Sequence, residues 1–556
     1  MPVPHVSIRA LCFFLTLTLV PHLATAQSSE PTTDQVDALF AQWDHAESPG
    51  AAIAIVQDGE VRYKKGYGMA NLEHGIPNTS STIFDIASVS KQFGAMAIAM
   101  LAEAGTIALD DEIHTHIPEV PDFGNPITLR HLVHHTSGLR DWPGTLSMAG
   151  WQMDDIITFD QILRMVWKQQ ALNFEPGAEY SYSNTGYNLL AETVARVTDQ
   201  SFPEWMDAHV FTPLEMNHSH FHDDHQMIVE NRAQGYRKAG SQYKMVPNGL
   251  TALASSSLFT SVDDLIKWVQ NFETKTVGGP AVMSQMHEQG VLNDGKEIAY
   301  AFGNSIGSYR GLAQVTHSGG WAAFNTYLVR FPEERFSVIV LSNAGDLNAR
   351  RRAYEIVDLY LKDRFIPEEP TSNEEVTSIT LTESQLDRFV GNYKLGPGWY
   401  VNIFRAGNTL KTQATNESAF DMTPVSATKF WVQAYGSHID FKGPDSAPAT
   451  YFDYRQYQAP RVSAVIAQED VRVDAYLGTY YSEELETTYT AAIYEGKLIF
   501  QHLRHGTIAL SPLIEDVFKS NRWFMREVEF VRNASGEITG FLASDSRSRN
   551  VLFSKF

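Results

Sequence analysis

Residues 51–56, Ala-Ala-Ile-Ala-Ile-Val, are apolar at every position, and residues 60–63, Glu-Val-Arg-Tyr, alternate. Gln57-Asp58-Gly59 lies between them, and an Asp-Gly step flanked by two β-type runs predicts a hairpin. From about residue 85 to 265 apolar positions recur at helical spacing, broken by loops rich in Gly and Pro. Strand patterning returns at residues 313–317, 326–331 and 336–341, and residues 349–364 then predict a closing helix. Strands at both ends with helices between predict an α+β domain whose antiparallel sheet joins the two ends.

Past this region the pattern changes twice. Residues 366–376 contain Pro-Glu-Glu-Pro-Thr-Ser-Asn-Glu-Glu, too polar and proline-rich to pack, and predict a linker. Beyond it Phe389-Val-Gly391-Asn-Tyr393 and Tyr476-Leu-Gly478-Thr-Tyr480 open two segments of short alternating strands, such as those around Glu495-Gly496 and Ala534-Ser-Gly536. Two small all-β barrels or sandwiches are the economical expectation. The chain ahead of the sheet reads as a secretory signal: Arg9 is its single charge, residues 11–20 are a short apolar stretch, and Ala24-Thr25-Ala26 is a small-x-small cleavage site. The expected organisation is a signal peptide at 1–26, a catalytic domain at 31–365, a linker at 366–379 and β domains at 380–468 and 472–556.

Composition narrows the chemistry. With 43 Lys and Arg against 65 Asp and Glu the formal charge is −22, which repels phosphate backbones and anionic surfaces and argues against nucleic acid as a partner. The single cysteine, Cys12, falls inside the signal, so the chain after it has no thiol for a nucleophile, disulfide or thiolate metal site. No later stretch approaches 18 consecutive apolar residues, so no membrane span is expected in the mature chain, and the expected location is secreted or periplasmic.

The most informative stretch is Phe84-Asp-Ile-Ala-Ser88-Val-Ser90-Lys91-Gln-Phe, which runs into an apolar helix ending at Gly105. Ser88 is expected at the first turn, and the i, i+3 spacing brings the Lys91 ammonium within hydrogen-bonding range of its hydroxyl. A buried lysine loses its proton more readily and can then accept that of the serine, while the helix N-terminus favours a developing oxyanion. Two further stretches carry polar groups in glycine-rich settings. Tyr182-Ser183-Asn184 ends a turn-rich loop before a helical run at 189–197, and His317-Ser318-Gly319-Gly320 lies where a strand meets glycines that admit a substrate backbone.

Ser88-x-x-Lys91, Tyr182-Ser-Asn184 and His317-Ser-Gly319, in this order, resemble the penicillin-recognising serine hydrolases, which include class C β-lactamases, D-alanyl-D-alanine carboxypeptidases, D-aminopeptidases and related esterases. Residues 132–139, 211–216 and Leu341-Ser-Asn343 match as supporting motifs, and the likeness covers about residues 36–361. It implies a β-lactamase/transpeptidase-like fold and an acyl-enzyme on Ser88. It further implies that Lys91 is the proton partner, Tyr182 the base, Asn184 a substrate-amide contact, and the Ser88 and Gly320 N–H groups the oxyanion hole. No metal or organic cofactor is implied. The substrate would be a small peptide, ester or β-lactam-like molecule, with the architecture most similar to D-aminopeptidases. Where many relatives carry Lys-Thr-Gly this chain has His317-Ser-Gly319, so a pH-dependent cation is expected to face a substrate carboxylate, which argues against strong β-lactam turnover.

Three decoys need a place in the fold. Gly303-Asn-Ser305-Ile-Gly307 matches a nucleophile elbow but precedes strand-like sequence and reads as a hairpin turn. The run from His218 to His225 has the density of a metal cluster, yet reads as a solvated loop. His134 and His135 read as turn supports. Glu175 and Glu179 are the carboxylates near Tyr182. A non-catalytic penicillin sensor is the rival function class, and retention of Ser88, Lys91 and Tyr182 favours catalysis.

Overall fold

The computed structural model describes residues 1–2, 32–366, 378–415, 417–455, 457–462 and 471–556. Residues 3–26 of the expected signal, with Cys12, and residues 367–377 of the expected linker lie outside them. Strands β1 (Ala51–Gln57), β2 (Glu60–Tyr67), β3 (Ser305–Tyr309), β4 (Leu312–Trp321), β5 (Phe324–Phe331) and β6 (Phe336–Ser342) form one antiparallel sheet in the order β3-β4-β5-β6-β1-β2. The two ends of the domain meet where β1 pairs with β6, Ala51 opposite Ser342.

The unbroken apolar run of β1 has a physical reason, because the sheet is covered on both faces. Ala52, Ala54 and Val56 enter the core shared with the helical region. Ala51, Ile53 and Ile55 pack against α1 (Thr33–Phe40) and the closing helix Ala349–Leu361 on the other side. In the helical region α2 (Lys91–Glu103) is buried along nearly its whole length. Near it lie α3 (Trp142–Met148) and α4 (Asn184–Thr198), the latter starting five residues before the expected run because Ser183 caps it with a hydrogen bond from the Gly186 N–H. A small three-stranded sheet, absent from the sequence expectation, joins Phe84–Asp85, Leu258–Thr260 and His220–Phe221. These two- and three-residue strands are too short to leave a periodic signal.

The C-terminal segments are two closed eight-stranded barrels. The weak sequence repeat marks the same device in each. The Tyr393 hydroxyl donates to the Phe389 carbonyl at 2.9 Å and the Tyr480 hydroxyl to the Tyr476 carbonyl at 2.6 Å, so each tyrosine ring is fixed inside its barrel by a bond to the backbone four residues earlier. The second barrel also docks on the catalytic domain. Arg140 and Glu484 form a buried ion pair across the contact, with side chains 1% and 4% exposed, and Tyr489 donates to the Met148 carbonyl at 2.9 Å. Among the described residues no helix is long and apolar enough to cross a membrane.

Candidate active site

Ser88 lies in a 3-10 turn, Ala87–Ser90, that leads into α2, so the serine precedes the helix proper. Ala87 has φ +47°, a left-handed conformation costly for a residue with a Cβ. The surroundings over-determine it: the Ala87 N–H donates to Asp85 Oδ1 at 2.8 Å, and the Ile86 N–H donates to the Leu258 carbonyl at 3.0 Å. The Thr326 hydroxyl donates to the Ile86 carbonyl at 2.8 Å, fixing the turn to the sheet. The small sheet and β5 thus hold the Ser88 hydroxyl at the cleft mouth.

Lys91 is fully buried, and its ammonium donates to Ser88 Oγ at 3.3 Å, to Asn184 Oδ1 at 2.7 Å and to the Ser255 carbonyl at 2.7 Å. Burial holds it well below the ordinary lysine range; the Asp141 carboxylate opposes that shift and the Arg547 guanidinium adds to it. The Tyr182 phenol faces Ser88, and its ring lies 4.8 Å from the lysine nitrogen. Burial pushes this phenol well above its ordinary value, the neighbouring Ser88 hydroxyl pulling the other way. The site therefore pairs a lysine biased toward the neutral amine with a tyrosine biased toward the neutral phenol.

Asn184 is oriented by a residue that sequence reasoning missed. Asp141 Oδ1 accepts the Asn184 backbone N–H at 2.7 Å, and Asp141 Oδ2 accepts the side-chain amide at 3.1 Å. That commits the amide oxygen to Lys91 and leaves one N–H of the primary amide for a ligand. His135 supports the neighbouring backbone, its Nδ1 accepting the Ser183 N–H at 3.1 Å.

On the far wall β3 ends its pairing at Thr316, so His317 to Trp321 of β4 present a strand edge to the cleft. A Cβ at Gly319 would fall 2.2 Å from the Ile86 carbonyl oxygen, so only glycine lets this edge approach the nucleophile turn. Ser318 and Gly320 line the cleft with Ser88, and a Cβ at Gly320 would meet open space. The expected charge of His317 is corrected here. The ring is 5% exposed, its Nδ1 donates to the Ser318 carbonyl at 2.7 Å and its Nε2 accepts from the Tyr300 hydroxyl at 3.0 Å. Burial first, then the Lys91 charge, push its pKa down to about 3, so it is a neutral wall residue at physiological pH.

The remaining wall comes from the second barrel. Its loop between Ile538–Ser544 and Val551–Lys555 brings Arg547 into the cleft, where the guanidinium lies 4.9 Å from the Tyr182 ring centre and 3.3 Å from Asp141 Oδ2. Asp545 folds this loop by accepting the Arg547 N–H at 2.6 Å and the Ser548 N–H at 2.8 Å. It sits so close to α3 that a Cβ at Gly144 would fall 1.9 Å from its Oδ2. Burial pushes the Asp545 carboxyl up to about 7, partly offset by those two N–H groups. A carboxyl raised in the fold is fully compatible with folding below its ordinary value near 4 and loses stability as pH climbs to 7. Asp545→Asn should therefore match wild type at pH 4 and exceed its melting temperature by roughly a few degrees at pH 8, followed by circular dichroism. An equal shift at both pH values would refute the protonated carboxyl.

The decoys separate cleanly. Ser305 begins β3 with no helix after it, and a Cβ at Gly303 would fall 2.6 Å from the Gln92 nitrogen, so that glycine serves close packing against α2. The histidine run is the expected solvated loop only in part: His218, Asp223 and Asp224 are exposed, but His220 and Phe221 are strand residues and His222 is buried against Phe259. Among the described residues no three His, Cys, Asp or Glu side chains are grouped to hold a metal. Glu179 pairs with Arg549 at 3.0 Å, outside the cleft wall.

The model of the β-lactamase family matches residues 36–361. A penicillin-binding protein of Bacillus subtilis strain 168 is 26% identical over 423 residues, covering 72% of this chain and 92% of that protein. A D-aminopeptidase of Gluconobacter oxydans strain 621H is 27% identical over 296 residues, 53% of this chain, and the match spans 56% of its own length. In structure, the octameric penicillin-binding protein homologue from Pyrococcus abyssi aligns with TM-score 0.55 at 23% identity, over 77% of this chain and all of the other. A D-amino acid amidase from Ochrobactrum anthropi aligns with TM-score 0.51 at 20% identity, over 60% of this chain and all of that one.

Proposed function

Since this chain belongs to the β-lactamase family and is a serine hydrolase, we propose that it is exported and cleaves amide or ester bonds of D-amino-acid-containing peptides through an acyl-enzyme on Ser88. The observation that carries the catalytic part is the contact of Ser88 Oγ with a fully buried Lys91 and with the Tyr182 phenol. Export rests on the charge, apolar stretch and cleavage site of residues 1–26. The D-amino-acid preference rests on one relative and one structural neighbour named for such substrates.

The directions of the two pKa shifts support a division of proton work. Neutral Lys91 takes the Ser88 proton as Oγ attacks the substrate carbonyl, and the Ser88 and Gly320 N–H groups receive the developing oxyanion. Tyr182, retaining its proton at rest, donates it to the leaving nitrogen or oxygen and recovers one from Lys91. Water then attacks the ester with the same groups working in reverse. Asn184, held by Asp141, steadies the lysine and offers its remaining N–H to the acyl portion of the substrate.

A substrate panel tests this. An N-acylated D-alanyl-D-alanine peptide should be turned over at least about tenfold faster than its L,L counterpart. A chromogenic cephalosporin is the β-lactam arm of the panel: turnover slower than that of the D,D peptide keeps the peptidase reading, and faster turnover replaces it with a β-lactamase. Faster turnover of the L,L peptide would remove the D-specific reading while leaving the hydrolase intact.

A further inference from the structure

Charge in the cleft runs against charge in the chain. The protein carries a formal −22, yet among the described residues lining this cleft of about 820 Å³ there is no Asp or Glu, while Arg350 and Arg547 both line it. Asp141 lies just behind the wall. Its side chain is 4% exposed and already accepts two N–H groups of Asn184 and one of Arg547, so it is closed to a ligand ammonium.

Arg547 is built for the opposite role. Its backbone is pinned on both sides, the carbonyl accepting the Asp141 N–H at 3.2 Å and the Asn173 side-chain amide at 2.7 Å, and the N–H bonding Asp545. The side chain is 46% exposed and spends one of its five N–H donors on Asp141. The face of Tyr182, which itself touches Ser88, supports the guanidinium. A pre-oriented planar fork with unspent donors matches a carboxylate. His317, neutral and bonded internally, offers no competing cation.

Resting on the hydrolase reading above, we propose that Arg547, delivered by the second barrel, is the anion anchor of this site, and that the substrates it selects carry a carboxylate that seats against the guanidinium. The barrel is then part of the active site, and a free α-ammonium at the same place is repelled.

Two matched substrate pairs test this with the full chain. On the acyl side the pair is the p-nitrophenyl esters of glutarate and butyrate; on the leaving side it is N-acetyl-D-alanyl-D-alanine and its carboxamide. Wild type should favour the carboxylate member of one pair by about 10- to 100-fold in kcat/KM. Arg547→Ala should erase that preference by lowering kcat/KM for the carboxylate member about 10- to 100-fold more than for the neutral member, chiefly through KM, and Arg547→Lys should restore part of it. No carboxylate preference in either pair, or an equal loss on both members, would overturn the proposal, the second result meaning that Arg547 acts only through Asp141 and Lys91. If Arg547→Ala does not fold, competitive inhibition of wild type by N-acetyl-D-alanine must exceed that by N-acetyl-D-alaninamide, and equal inhibition overturns it. Ser88→Ala separates the two claims: full turnover there sinks the hydrolase reading, whereas its loss without charge preference sinks Arg547 alone.

Discussion

Ser88→Ala is expected to lower kcat by roughly 10⁴- to 10⁶-fold on every substrate the wild type accepts, with little change in KM. The reason lies in the surroundings, which exist to present one hydroxyl. A left-handed Ala87, bonds from Ile86 and Thr326, and a glycine pressed against the Ile86 carbonyl all converge on this turn. On the proposed mechanism, removing Oγ takes away the atom that bonds covalently to the carbonyl and leaves Lys91 and Tyr182 with no Ser88 proton to move. The side chain is partly exposed at the cleft, so alanine should fold normally. Steady-state kinetics beside a thermal melt check this, and a residual rate within tenfold of wild type would move the chemistry elsewhere.

Lys91→Met should lower kcat by about 10²- to 10⁴-fold, the scale of a lost general base. Methionine nearly preserves volume, so the burial around α2 survives. The fold disfavours the charged lysine, so below the ordinary lysine pKa the wild type bears a cost that methionine lacks. Against that stand the Asn184 and Ser255 oxygens, which lose their donor. The melting temperature at pH 7 should therefore stay close to or above that of wild type while activity collapses, the signature of a site that trades stability for function. Lys91→Arg, which keeps charge and cannot give it up, should be equally inactive. Activity surviving in Lys91→Arg would deny the amine its role as proton acceptor.

What could be read from the sequence was local. Ser88 and Lys91 are one helical turn apart, so their contact follows from spacing alone, and Tyr182-Ser183-Asn184 announces itself by the cap on α4. The barrels were legible for the same reason, since each repeated tyrosine bonds the backbone four residues away. Asp141 and Arg547 were not legible, because the pair that completes the site joins positions 406 residues apart. Within the chain, Asp545-Ser-Arg547-Ser-Arg549 has the composition of any solvated turn. The state of His317 was hidden likewise: its identity suggested a cation, whereas its proton is decided by burial and by Tyr300, 17 positions away. The histidine run misled in the opposite sense, being polar in composition while partly paired into a sheet against Phe259.

The most direct measurement is the mass of the enzyme during turnover. Acid quenching of a reaction with an activated acyl ester, followed by intact-mass and peptide mass spectrometry, should reveal one added acyl group per chain, located on the peptide containing Ser88 and missing from Ser88→Ala. Brisk turnover with no adduct at any quench time, or an adduct mapping to Ser305, would contradict a covalent intermediate on Ser88.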